Sequence, residues 1–163
     1  MKNKVVGGDV RVLSQGGASF LYVLNPDLRE VLIEMFAAQF QSVEGVNLVI
    51  KPKDFPEFGM ADPQQNPQMP DVVLSAKSGY SFSDSLAGDL EVTPKTDEVK
   101  GTHGYDPNQL GMRATFVAWG VGIRPHAKVG SIKNLDVAPT IGALLGTPMK
   151  NVDGQVLESI LAK

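Results

Sequence analysis

The alternation of apolar and polar positions divides the chain into strand-like and helix-like stretches. "DVRVLSQGGASFLYVL" predicts two strands, at residues 10–14 and 19–24, joined by a Gly16-Gly17 hairpin turn. Asn25-Pro26-Asp27 then predicts a helix start, with an Asx-type cap and a proline in the first turn. Leu28, Val31, Leu32, Met35, Phe36 and Phe40 follow the i, i+3, i+4, i+7 spacing of one core-facing stripe, which Gly45 ends. "VNLVI" at residues 46–50 is a short buried strand. The next stretch, "KPKDFPEFGMADPQQNPQMPD", predicts an irregular excursion over the surface, because it holds five of the 11 prolines.

Apolar strands resume at "DVVLSAKSGYSF", residues 71–82, which predicts a strand, a turn near Ser78-Gly79 and an extension. Polar residues 84–100 lead into a histidine loop, and residues 112–123 predict a strand that ends in glycines. "SIKNLDVAPTIGALLGTP" predicts a helix capped by Asn134 or Asp136, with Pro139 in its first turn. Its apolar face is Val137, Ile141, Leu144 and Leu145, and Gly146 and Pro148 stop it. A short closing helix is expected after Gly154. Strands and helices alternate, so the class is α/β. No internal repeat or low-complexity tract interrupts them. Residues 52–69 and 84–100, polar and without apolar period, are expected to be the most mobile.

With 163 residues, the chain is long enough for one domain that buries roughly 70% of its unfolded surface. It is 42% hydrophobic and 20% charged, as soluble globular proteins are. Eighteen acids against 15 bases give a net charge of −3 with no basic block, so binding of a nucleic-acid polymer is not expected. Cysteine is absent, which excludes disulfides, thiolate zinc sites and cysteine nucleophiles, though not any compartment. No apolar run approaches the roughly 18 residues that span a bilayer, and no membrane association is expected. The opening "MKNKVVGGDV" lacks the apolar core of a signal peptide.

Histidine is the informative residue, because the chain has only two. His103 lies in "KGTHGYDPNQLGM", close between Gly101 and Gly104, where glycines let the backbone pass close to a charged site. His126, in "RPHAKVG", reads as a surface histidine. Asp136 reads as a helix cap rather than a catalytic acid. Thr140 has no neighbouring base and is rejected as a nucleophile. Tyr80 and Tyr105 are candidates for either a pocket lining or packing, and Trp119 for core or sheet edge.

Three stretches together resemble the C-terminal part of the alkaline phosphatase superfamily, in its type I phosphodiesterase/nucleotide pyrophosphatase branch. "GTHGYDPNQLGMRATFVAWG" is similar to the family's glycine-flanked His-Gly-Tyr-Asp, followed by a Met-x-Ala-x-Phe strand ending in glycine. "SIKNLDVAPTIGALLGTP" is similar to its Asn-(Leu/Val)-Asp-x-x-Pro-Thr helix, and "DVVLSAKSGYSF" more weakly to the strand before the histidine loop. The likeness covers residues 70–157 well and the first 60 poorly.

The resemblance implies an alkaline-phosphatase-like α/β fold, here a C-terminal fragment forming a single partial domain over residues 1–163, with a small mixed sheet and packed helices. It implies a parent that hydrolyses phosphate esters or nucleotides with two divalent metals, usually zinc, and a serine or threonine nucleophile. Phosphomonoesterase and phosphonate hydrolase are sister activities. The family's last histidine ligand matches His103, and no other residue matches a ligand or the nucleophile. The nucleophile and remaining ligands are therefore expected N-terminal to Met1, and the isolated chain is expected to be inert and metal-free. Asp106 or a loop carbonyl is the expected partner of the imidazole's second nitrogen, with Tyr105 as a second shell or pocket residue. Self-association through uncovered apolar surface is expected, and a periplasmic or secreted location is suggested by the family alone. The competing reading is a non-catalytic binding module or a degenerate relative.

Overall fold

A computed structural model describes residues 8–83 and 101–162. By its own contacts the chain divides into two compact units, Met1–Arg113 and Ala114–Lys163. The first holds a four-stranded sheet of β1 (Val10–Gln15), β2 (Ala18–Val23), β3 (Val46–Ile50) and β4 (Val72–Ala76), in the order β1-β2-β4-β3. Every pairing is antiparallel, so the expected mixed sheet is corrected to an antiparallel one. The reason is that β2 and β3 run in the same direction but never touch. β4 returns between them and pairs with both, Phe20 opposite Val73 on one side and Ile50 opposite Val73 on the other.

β1 and β2 form the hairpin expected from Gly16-Gly17, with Gln15 paired to Ala18 across a turn in which Gly16 has φ 63°. Asn25 caps the next segment, its Oδ1 accepting from the Asp27 N–H at 3.1 Å. After one 3-10 turn the chain enters α1 (Arg29–Gln41), which stops four residues short of Gly45. Its inner stripe is rotated from the expected one. Ile33 and Ala37 are buried and Leu32, Phe36 and Phe40 pack on the sheet, while Leu28, Val31 and Met35 face outward. Phe36 and Phe40, one turn apart, stack with centroids 6.1 Å apart.

The sheet is covered on both faces, which explains why β4 is buried along its whole length and lacks strand alternation. Val72 and Leu74 join Leu21, Val23 and Ile33 beneath α1. Val73 points the other way, to Ile50 and Phe55. Phe55 belongs to a 3-10 segment, Pro52–Phe58, and is wholly inaccessible. Residues 52–69 therefore form a second cover rather than a loose excursion. Phe20, Leu48, Phe58, Met60 and Met69 pack around Phe55, and these few large apolar side chains outweigh the proline-rich composition. The other segment expected to be mobile, 84–100, lies outside the described residues.

Asp71 pins the start of β4. The residue is 4% exposed, and its carboxylate accepts the Val23 N–H at 2.7 Å and lies 3.3 Å from Arg29 Nε.

The expected strand at 112–123, which begins in the first unit and continues into the second, is not formed. Leu110–Met112 is a 3-10 turn, residues 113–119 belong to no strand, and only an isolated bridge, Ile123 to Leu161, follows. Trp119 is 95% exposed, so it is neither core nor a paired edge, and Val117 and Val121 are equally open.

α2 (Val137–Leu144) forms where expected after a 3-10 turn at Asn134–Asp136. Its buried residues are Pro139, Thr140 and Gly142, while Ile141, Leu144 and Leu145 from the expected apolar face are exposed. The closing helix reduces to a 3-10 turn at Glu158–Ile160, whose Ile160 is buried. No helix among the described residues is long and apolar enough to cross a membrane.

Candidate functional site

The hairpin turn between β1 and β2 is where three distant segments meet. Gly16 C=O accepts the Phe82 N–H at 2.7 Å, Gly17 C=O accepts the Ala76 N–H at 2.8 Å, and the Gly17 N–H donates to His103 C=O at 2.6 Å. The turn can take all three because it has no side chains. A Cβ on Gly16 would overlap Thr102 Oγ1, and one on Gly17 would sit 2.5 Å from Cγ of Tyr105. The fit is reciprocal at Gly104, which has φ 87° and turns its bare Cα onto the Gln15 carbonyl, where no Cβ fits. Of the two glycines read from the sequence as freeing the backbone near a charged site, Gly104 makes close contact between loop and hairpin, while a Cβ on Gly101 would meet nothing within 4 Å.

His103 is held by its main chain. Its side chain is exposed, and among the described residues the imidazole has no hydrogen-bond partner. Asp106, expected to steady the imidazole, turns elsewhere. Its Oδ1 accepts from both the Asn108 N–H at 2.9 Å and Asn108 Nδ2 at 3.0 Å, and its carbonyl accepts the Gln109 N–H. This is an Asx turn that shapes the stretch after the histidine. Gln109 then reaches back to the sheet and donates to Ala76 C=O at 2.9 Å.

Tyr105 is the loop's anchor. Its ring lies on Gly17 and its hydroxyl donates to Tyr80 C=O at 2.7 Å. Tyr80 repeats the arrangement: its ring lies on Gly45, which has φ 86°, and its hydroxyl donates to Glu44 Oε1 at 2.8 Å. That hydrogen bond, the negative charge of Glu44 and some burial hold the Tyr80 phenol above its ordinary value of 10.0. Both tyrosines thus pack a ring on a glycine and anchor a hydroxyl within the fold.

The remaining candidates lie in the second unit. His126 is exposed in a left-handed turn, φ 58°, as a surface histidine. Asp136 accepts the Lys133 N–H at 3.0 Å and the Gln155 N–H at 2.9 Å, so its carboxylate caps a 3-10 turn and ties down the following segment. Those N–H groups, Gln155 first, hold it below its ordinary value of 3.8. Thr140 Oγ1 donates to Asp136 C=O at 2.6 Å and accepts the Leu157 N–H at 2.9 Å, so its hydroxyl ties the helix to the closing segment.

Among the described residues no three His, Asp, Glu or Cys side chains come close enough to hold a metal ion. Sequence reasoning singled out His103 and Tyr105 but missed Gly16, Gly17, Glu44 and Gln109 as the residues their loop rests on. The only signal was the Gly-Gly turn itself, which reads equally well as hairpin chemistry.

In comparisons with known proteins, no family model, no curated protein and no solved structure matches the chain.

Proposed function

We propose that this chain supplies one histidine ligand, His103, to a two-metal phosphoric ester hydrolase of the phosphodiesterase/nucleotide pyrophosphatase type. The other ligands and the nucleophile come from outside the residues described. The supporting observation is the contrast within one residue: the His103 carbonyl is clamped to Gly17 while its imidazole is exposed and unpartnered. A side chain offered outward from a fixed backbone suits a donor that completes a site made elsewhere. A catalytic zinc takes several protein ligands, so this imidazole alone gives none of the multi-ligand gain.

The test has two arms. In the 163-residue chain His103 should bind zinc no more tightly than an ordinary exposed histidine, so chelator competition should read nearly the same weak affinity before and after His103→Ala. In the complete polypeptide carrying this segment, His103→Ala should remove metal and lower hydrolysis of a chromogenic phosphodiester by orders of magnitude. His126→Ala should change neither. Full metal content and turnover in the His103 variant would refute the assignment. A complete polypeptide that folds but hydrolyses no phosphate ester would favour the non-catalytic binding module instead.

A further inference from the structure

We propose that Glu44, Tyr80 and Tyr105 form a brace of positioning residues that sets where the His103 imidazole is presented; this rests on the ligand role proposed above. Metal-ligating histidines are generally steadied by a hydrogen bond to the second ring nitrogen. His103 has none among the described residues, and Asp106 is engaged with Asn108. Among the described residues its aim therefore comes from the main chain, which is held at three points. One is the Gly17 N–H on its carbonyl, another the seating of Gly104 on Gln15, and the third is Tyr105, two residues on.

Tyr105 is positioned from two directions. Gly17 fixes the ring face, since even a methyl there would strike Cγ, Cδ1 and Cδ2. The Tyr80 carbonyl fixes the hydroxyl end. That carbonyl is placed in turn by Tyr80's own ring on Gly45, by its hydroxyl on Glu44 and by its N–H on Lys77 C=O at 3.0 Å. Glu44 and Gly45 form the turn between α1 and β3. The brace therefore ties the histidine loop to a turn 59 residues earlier in the chain. Aromatic rings suit this use because two torsions fix their position, and a bare glycine under each ring leaves one resting place.

Zinc is the probe. In the complete polypeptide, Tyr105→Phe keeps the ring on Gly17 but removes the bond to Tyr80, and should weaken zinc binding about 10-fold or more, within the range for supporting residues. Glu44→Ala should weaken it less, and Glu44→Gln, which keeps an acceptor for the Tyr80 hydroxyl, should restore it. In the 163-residue chain, Tyr105→Phe should lower the His103 amide order parameter from the rigid range near 0.85 toward 0.6, with β4 amides unchanged. A purely structural role would lower stability without moving zinc affinity in the folded protein. If His103→Ala loses metal while Tyr105→Phe holds zinc within about 2-fold of the native protein, the brace is refuted and the ligand role stands. If His103→Ala keeps its metal, both fail.

Discussion

Replacing Asp71 with alanine should cost about 2–4 kcal/mol of stability, and the figure follows from two contacts. The carboxylate is nearly inaccessible and accepts the Val23 N–H at 2.7 Å. Hydrogen bonds to a charged group are worth about 1.5–3 kcal/mol, and the variant would leave a buried N–H unpaired. The Arg29 contact adds less. Its side chain is 44% exposed and it offers one nitrogen at 3.3 Å, so solvent screening limits it to about 1 kcal/mol or below. Asp71→Asn keeps an acceptor for Val23 and should cost about half as much.

Urea unfolding followed by far-UV circular dichroism would measure both variants. Tryptophan fluorescence is a poor reporter, because the single Trp119 is already 95% exposed and belongs to the other unit. An alanine variant within about 0.5 kcal/mol of the native chain, the usual spread for surface changes, would refute the claim that Asp71 holds β2 and β4 together. So would an asparagine variant as unstable as the alanine one.

Phe55→Ala, which empties an inaccessible site between Ile50 and Val73, should cost about 3–5 kcal/mol and raise hydrogen exchange in β3 and β4 together. Gly104→Ala forces a Cβ onto the Gln15 carbonyl at φ 87°, so the loop should undock and exchange at the Gly17 amide should rise at least about tenfold, equivalent to 1.4 kcal/mol. The lowered Asp136 pKa means that the folded state favours the carboxylate. Its contribution is complete above 3.8 and is lost as pH falls through the folded value. Acid should therefore expose the Gln155 amide to exchange in that range, and Asp136→Asn should abolish the transition.

What could be read from the sequence was what local chemistry decides. Gly16-Gly17 makes a hairpin, Asn25-Pro26-Asp27 opens a helix, and Asn134–Asp136 leads into α2, each through contacts a few residues long. What could not be read depends on partners far along the chain. Residues 112–123 alternate well enough for a strand, but a strand needs a neighbour, and among the described residues only Ile123 pairs, in an isolated bridge to Leu161. The α1 stripe was misplaced because Leu28, Val31 and Met35 satisfy helical spacing as well as Ile33 and Ala37 do. Only the sheet beneath chooses between the two faces. Residues 52–69 carry no period, since Phe55 enters the core from an irregular turn. The site divides the same way. His103 stood out by rarity, whereas the pairing of Tyr105 with Gly17 and of Tyr80 with Gly45 follows from the tertiary fold alone.

The strand order β1-β2-β4-β3 also sets a schedule for the growing chain. β2, α1 and β3 are complete by residue 50, yet β2 and β3 have no bond to each other and β4 begins only at Val72. Until then the hairpin can close, but β3 has no sheet to join and α1 has only half a floor beneath it. Closure waits for contacts of long sequence separation, which is where folding is slow. A nascent chain held at about residue 70 would show the first hairpin protected and β3 fully labile. A few residues more, enough to include Ala76, would make the whole sheet appear at once.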